Sequence, residues 1–182
     1  MHYHFTKKYG LNKNNRLKNY KVEGVISNDR VRIKSDLPIE TEPRVDHNKP
    51  DIMVHDLKAK EIMLIEVGIT NKNILTTTEV TKSRKYEMLA NELKSIYPGT
   101  GVIIVPVVMT WDGLVTKYFK KHIEKLEINE KVVSYIQTQV IKRTMESVLM
   151  DCRTQDNDED VLDHIMNEME REEDVVNNLY QM

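Results

Sequence analysis

The series of apolar segments between residues 50 and 110 constrains the fold of this chain more than any other feature of its sequence. Two segments, PDIMVHD (50–56) and EIMLIEVGI (61–69), have β-strand patterning, and the short loop between them predicts an antiparallel pair. The run GVIIVPVVM (101–109) is apolar at consecutive positions. This is typical of a strand with both faces covered, and it predicts an internal strand of a sheet.

Apolar residues at helical spacing fill the intervals around these strands. Residues 74–97 predict a helix that ends before Pro98-Gly99, and further helices are predicted after residue 109 and over about 131–150. The N-terminal segment predicts a short helix ending at Gly10, followed by a hairpin of 20–26 and 31–34. The predicted fold class is therefore α/β (α+β), with one mixed β-sheet flanked by helices and a C-terminal helical extension.

Each of the three later helices is expected to bury one apolar face. These faces comprise Ile74, Val80, Tyr86, Leu89, Leu93 and Ile96 in the first helix, Leu114, Val115, Tyr118, Phe119, His122, Ile123 and Leu126 in the second, and Val132, Tyr135, Ile136, Val140, Met145 and Leu149 in the third.

Several classes of protein are excluded by size and composition. A chain of 182 residues is too short for a reverse transcriptase or a polymerase, and its longest apolar run is too short to span a bilayer. The single cysteine, Cys152, excludes a disulfide framework and a multi-cysteine zinc site, and it suggests a reducing compartment. We therefore expect a small intracellular domain with no membrane partner.

Charge is distributed unevenly along the chain. Residues 1–150 contain 25 Lys and Arg against 18 Asp and Glu, whereas residues 151–182 contain 2 against 11. A basic body suits a polyanionic partner such as nucleic acid, although a lysine-rich surface that is merely soluble explains the charge equally well. The acidic end predicts a linker and an amphipathic helix over 161–180 that docks on a partner, on another copy or on the body.

Two acidic residues stand out in the predicted strand pair. Asp51 begins the first strand, and Glu66 interrupts the apolar run of the second strand. If the strands pair as a hairpin, both carboxylates reach one edge of the sheet, where they provide the hard oxygen ligands that Mg²⁺ or Mn²⁺ prefers. The simpler interpretation is that each acid faces solvent.

The helix that follows the second strand carries a basic cluster. Lys82 and Tyr86 lie one turn apart, and Arg84 and Lys85 lie between them. A lysine beside a carboxylate-bound metal can orient the attacking water and offset charge in the transition state of phosphodiester hydrolysis. A solvated basic face with Tyr86 as a core anchor is the structural alternative.

The ordered segments resemble the restriction-like endonuclease domain at the C-terminus of site-specific non-LTR retrotransposon polyproteins, a member of the PD-(D/E)xK superfamily. The resemblance lies in KPDIMV, MLIEVGI, EVTKSRKYEMLANEL and VIIVPVVMTWDGLVTKYFKKHIEKL, and extends upstream to HYHFTKKYGLN and NDRVRIKSDLPIETEPR. It implies a restriction-endonuclease-like mixed sheet. It covers roughly residues 2–128. We divide the chain into a basic lead-in (1–48), an endonuclease-like core (49–128), a helix (129–150) and an acidic tail (151–182) that has no counterpart in the family.

Matched motif by motif, the resemblance assigns candidate site residues. Asp51 matches the PD aspartate and Glu66 the second acid, and Lys82 matches a catalytic lysine that this retroelement group carries in a K-x-x-K-Y pattern on the following helix. The usual superfamily lysine, two residues after the second acid, is replaced by Gly68. The implied metal ligands are Asp51, Glu66 and the carbonyl of Val67, and the implied DNA-binding residues are Lys49, Arg84, Lys85 and Tyr86.

The implied function is that of a DNA endonuclease that depends on Mg²⁺ or Mn²⁺, nicks its target and lacks the reverse transcriptase. DNA is the implied partner, together with RNA of the parent element, and the implied location is nuclear. The family's further Pro-x-Asp motif after the second strand is replaced here by ITNKN, and the preceding Cys/His knuckle is absent. An inactive remnant that binds nucleic acid or protein is the alternative.

Overall fold

The computed structural model describes residues 1–12, 17 and 20–153. In this part of the chain a five-stranded sheet has the strand order β1-β2-β3-β4-β5, and helices cover both of its faces. The elements are α1 (His2–Lys8), β1 (Val25–Ser27), β2 (Val31–Ser35), β3 (Ile52–Asp56), β4 (Glu61–Thr70), α2 (Leu75–Lys85), α3 (Glu87–Ile96), β5 (Gly101–Thr110), α4 (Phe119–Lys125) and α5 (Glu130–Arg153).

The sheet is mixed, as the sequence predicts. Strands β1 to β4 pair antiparallel in chain order, whereas β5 runs parallel to β4 along its whole length. A parallel pair requires a crossover, which α2 and α3 provide. The predicted α/β class with one mixed sheet and flanking helices is confirmed, and the 1–48 segment contributes β1 and β2 to the same sheet as the core strands.

The alternation of side chains along the strands produces two separate cores. On one face, Val54 and Ile65 pack with Phe5 of α1 and Phe119 of α4. On the other face, Met53, Ile62 and Leu64 pack with residues of α3, among them Leu89 and Leu93. The sheet is thus a central layer, and its α2–α3 side is the side on which Glu66 lies.

The predicted helix over 74–97 is wrong in one respect, because it is two helices. Tyr86 leaves the helical conformation, with φ −108° and ψ 17°, and separates α2 from α3. Its side chain turns into the protein, where it is 1% exposed. Ile74, Val80 and Ile96, which were expected to be buried, are exposed, and Ile74 lies in a 3-10 turn before α2 begins.

The strand at 101–109 lies at the edge of the described sheet rather than inside it. Its two apolar faces are explained by the helices that cover both sides, and Pro106, which has no N–H to donate, suits an edge position. After β5 the chain forms a turn at Gly113 and an isolated bridge between Met109 and Val115, so that α4 starts only at Phe119. The residues expected to be buried in the first part of that helix are exposed instead, namely Leu114, Val115 and Tyr118.

The helix predicted over about 131–150 is present as α5 and extends to Arg153. The predicted tail helix over 161–180 lies outside the described residues. No helix of the described part of the chain is both long and apolar enough to cross a membrane.

Candidate functional site

Asp51 and Glu66 lie side by side at one end of the β3–β4 hairpin. The register pairs Ile52 with Ile65, and the next position along the two strands places Asp51 opposite Glu66 on the same face of the sheet. Asp51 Oδ2 accepts a hydrogen bond of 2.7 Å from the backbone N–H of Val67. The predicted hairpin is present, and its continued register places Asp51 opposite Glu66.

Glu66 is 3% exposed and is surrounded by donors from the α2 side of the sheet. Its Oε1 accepts hydrogen bonds from Lys82 Nζ at 2.9 Å and from Lys85 Nζ at 2.8 Å, and its Oε2 lies 2.9 Å from the hydroxyl of Tyr86. Burial alone would raise the pKa of Glu66, but the bonds from Lys85, Lys82 and Tyr86 outweigh burial and hold this pKa below its ordinary value. Glu66 is thus an ionised carboxylate held by two cations.

Lys82 reaches Glu66 because residue 68 is glycine. A Cβ atom on Gly68 would lie 3.0 Å from Cδ of Lys82 and 2.5 Å from its Cε, and the second distance is shorter than real Cβ contacts. The stem of Lys82 therefore occupies the space above β4 that a side chain at position 68 would take. The lysine that is missing from the strand is replaced in space by a lysine from the helix.

Tyr86 connects the segment before β3 to the site. Its hydroxyl lies 2.7 Å from the carbonyl oxygen of Lys49 as well as 2.9 Å from Glu66 Oε2, so one proton serves two acceptors. Burial and the adjacent Glu66 raise the pKa of Tyr86 to about 12, despite the opposing effect of Lys85. The ring is buried, and the observed contacts of its hydroxyl are with Lys49 and Glu66, whereas the DNA-binding role implied for Tyr86 stays a prediction.

The other implied DNA contacts differ in their accessibility. Arg84 is exposed, and Lys49 Nζ forms an exposed ion pair of 2.7 Å with Asp36. Lys85 is partly exposed but points to Glu66, which raises the pKa of Lys85 although burial acts in the opposite direction. Arg84 and Lys49 are therefore the members of the set whose charges face solvent.

Three oxygen-bearing groups lie around the end of the β3–β4 hairpin, namely Asp51, Glu66 and the backbone carbonyl of Val67. Continuing the β3–β4 register places Pro50 opposite Val67, and proline has no N–H to donate to the Val67 carbonyl. In an extended strand the C=O of a residue points to the same side as its N–H, which here is the side of Asp51. Glu66 Oε2 accepts one hydrogen bond and so keeps a lone pair. Among the described residues no group of three or more acidic, His or Cys side chains is gathered for a metal.

A second buried carboxylate lies one helical turn before Lys82, and the sequence did not identify it. Glu79 Oε1 accepts a hydrogen bond of 2.6 Å from Thr116 Oγ1 and lies 3.4 Å from His122 Nδ1. Burial lowers the pKa of His122 although Glu79 favours its charged form. These contacts join α2 to α4 and hold the helix that carries Lys82. The one signal for Glu79 in the sequence is its position one helical turn before Lys82.

Comparisons with known proteins gave no match: no family model, no curated protein and no solved structure is similar to this chain.

Proposed function

We propose that this chain is a divalent-metal-dependent DNA endonuclease that nicks its substrate and derives from a non-LTR retrotransposon polyprotein. The observation that carries the proposal is the placement of Asp51, just before β3, opposite Glu66 of β4, which is bonded to Lys82 of α2. A structural carboxylate does not require two lysines on a single oxygen atom, whereas hydrolysis of a phosphodiester requires both acids and cations at the reacting phosphate.

Asp51, Glu66 and the Val67 carbonyl are the atoms that would hold Mg²⁺ or Mn²⁺ in this proposal. When bound, such an ion polarises the phosphate and makes the attacking water more acidic. Lys82 orients that water, since its stem passes over Gly68 and brings the ammonium group to the carboxylates. Lys85 stays protonated because Glu66 raises its pKa, so it offsets negative charge in the transition state and does not act as a base.

DNA is the proposed substrate, and exposed cations are the groups that would bind its backbone. Arg84 faces solvent on the same helix as Lys82, and Lys49 directly precedes the Pro-Asp pair. Contacts of this kind position a backbone without reading its sequence. We further propose a nuclear location, where chromosomal DNA and RNA of the parent element are available.

The competing proposal is an inactive remnant that binds nucleic acid. One observation favours it: Glu66 already receives donors from Lys82, Lys85 and Tyr86, so its charge is balanced by the protein itself. In this second proposal the two lysines and Tyr86 are the permanent partners of Glu66, and no metal is needed to balance its charge. The two proposals differ in cleavage and not in binding.

A nicking assay on supercoiled plasmid and on branched single-strand/duplex DNA separates them. Wild type and Asp51→Ala are compared in Mg²⁺, in Mn²⁺ and in EDTA, and the folding of both is checked by their melting curves. We expect nicking by wild type in either metal, none in EDTA, and loss of nicking with retained or stronger DNA binding in Asp51→Ala. Cleavage by the variant at the rate of wild type contradicts the site, and absence of cleavage by a folded wild type favours the remnant.

A further inference from the structure

A second concave site lies on the same face of the sheet, away from Asp51 and Glu66. It is a cleft of about 400 Å³ between β2, β3, the segment around Ile39 and the C-terminal end of α3. This volume is within the usual range of ligand pockets. We call it the basic cleft, and the residues that matter for its chemistry are Arg32, Lys34, Glu40, Met53, His55 and Tyr97.

Two cations line one side of the basic cleft, and neither has a counterion among the described residues. Arg32 is opposite His55 in the sheet register and Lys34 is opposite Met53, so both side chains rise from the face covered by α3. Neither Arg32 nor Lys34 forms an ion pair or a side-chain hydrogen bond with a described residue. The single carboxylate of the lining, Glu40, is exposed and is not paired with either of them. The cleft therefore has an excess of positive charge available for an anion.

The other side of the basic cleft is apolar and aromatic. The rings of Tyr97 and His55 are 4.6 Å apart and inclined at 64°, and Met53 lies beside them on β3. His55 is buried, and burial together with the charge of Arg32 lowers its pKa, so its ring is neutral near neutral pH. A ligand that fits must combine an anionic group with a flat apolar part.

A nucleotide unit has this combination, and the position of the cleft indicates a polymer. His55 is four residues from Asp51 on the same strand and the same face, a separation of about 13 Å at roughly 3.3 Å per residue. A rigid duplex cannot enter a cleft of this size between a helix and a sheet, whereas an unpaired strand can insert one unit at a time.

We infer that the basic cleft binds one unit of a single-stranded nucleic acid, with the phosphate at Arg32 and Lys34 and the base against Tyr97. This inference extends the proposed nuclease by giving its substrate an unpaired flank. It concerns binding alone, so that it can succeed or fail independently of cleavage.

The test uses the full chain in EDTA, which prevents cleavage, and fluorescence anisotropy with a labelled 12-mer of oligothymidine. The variant Arg32→Gln/Lys34→Gln removes both cations of the cleft. Its matched control, Lys121→Gln/Lys125→Gln, removes two exposed lysines from α4 on the opposite face of the sheet. Both double variants lose two positive charges, so a general electrostatic effect would weaken their binding of the oligomer equally.

We expect the cleft variant to bind the oligomer about 10-fold more weakly, with a salt dependence reduced by about 1 in the slope of log affinity against log salt, and the control to change less than about 3-fold. Equal losses in variant and control overturn the inference. An abasic oligomer of the same length should bind wild type about 5-fold more weakly than oligothymidine, and equal binding overturns the place given to the base. If the cleft variant loses as much affinity for a 12-base-pair duplex as for the oligomer, the preference for an unpaired strand is overturned. If wild type never cleaves DNA but the cleft variant still loses affinity for the oligomer, the cleft is supported and only the proposed nuclease is contradicted.

Discussion

The β3–β4 hairpin has a buried carboxylate at each end, and the two differ in what holds them. Asp56 and Glu66 are both 3% exposed, and each contacts a cation and a tyrosine. Asp56 Oδ1 also accepts the backbone N–H groups of Lys58 and Ala59, which form the hairpin turn. Among the described residues, the donors to the Glu66 carboxylate are side chains of α2 and of Tyr86, which follows it.

This difference separates a carboxylate that builds the hairpin from one that serves a site. Asp56 accepts hydrogen bonds from the N–H groups of the turn, and Arg30 donates a further hydrogen bond of 3.2 Å to Asp56 Oδ2. Burial opposes ionisation of Asp56, but the bonds from Ala59 and Arg30 keep its pKa lowered, as those from the lysines do for Glu66. The pKa direction therefore does not distinguish the two ends, whereas the origin of the donors does.

The largest expected effect belongs to Lys82. Lys82→Ala should reduce metal-dependent nicking by about 10² to 10⁴-fold, because the group that orients the water is removed. Its matched control, Lys94→Ala, removes an exposed lysine of α3 that makes no contact with Glu66. Equal nicking by Lys82→Ala and Lys94→Ala in a plasmid assay would show that the Glu66 end has no special role.

Asp56 should act on stability and not on chemistry. Asp56→Asn weakens charge-assisted bonds to Arg30 and to the turn, and we expect its free energy of unfolding to fall by about 2 kcal/mol in urea titrations. The nicking rate per folded molecule should stay within about 3-fold of wild type. A loss of nicking comparable to that of Lys82→Ala would remove the distinction between the two ends.

The pairing of Gly68 with Lys82 can be tested by moving the lysine. Gly68→Ala places a Cβ where the Lys82 stem lies, and the flexible lysine should shift away with about a 10-fold loss of nicking and little change in stability. Gly68→Lys combined with Lys82→Ala returns the ammonium group to the site from the strand. We expect this double variant to nick faster than Lys82→Ala alone, and an equal rate would contradict the spatial replacement.

The two tyrosines give the smallest and most closely matched comparison. Burial and a neighbouring carboxylate raise the pKa of Tyr9, beside Asp56, and of Tyr86, beside Glu66, to about 12 in each case. A folded pKa above the ordinary value of 10 means that their stabilisation is complete below pH 10 and is lost as pH rises towards 12. In urea titrations, the free energy of unfolding should fall less between pH 9 and pH 11 in Tyr9→Phe and in Tyr86→Phe than in wild type.

Nicking should separate these tyrosine variants where stability does not. Tyr86→Phe frees Glu66 Oε2 from its hydroxyl contact and should slow nicking about 10-fold at pH 8, whereas Tyr9→Phe should leave it unchanged. An effect of the same size in both variants would indicate that tyrosine acts only through the stability of the hairpin.

Much of the scaffold was predictable because alternation and turn residues act locally. The antiparallel pair of β3 and β4, the hairpin of β1 and β2 and the helix α1 all follow from patterns within a few residues. The edge position of β5 was not predictable, since an apolar run reports that both faces are covered and says nothing about its neighbours in the sheet.

The site was predictable in part. Glu66 was identified because it interrupts an apolar strand, but Asp56, equally buried, looks like an ordinary residue of a turn. The fit of Lys82 over Gly68 and the break at Tyr86 depend on how α2 packs against β4, and this is a tertiary property that helical spacing cannot express.

The most direct test of the account replaces the two carboxylates by their isosteric amides and measures both nicking and stability. Glu66→Gln and Asp56→Asn keep shape and differ from wild type in one charge each. We predict that Glu66→Gln loses nicking in Mg²⁺ by about 10³-fold or more while remaining folded, and that Asp56→Asn melts earlier but still nicks. Nicking retained by Glu66→Gln, or lost equally in both variants, would contradict this prediction.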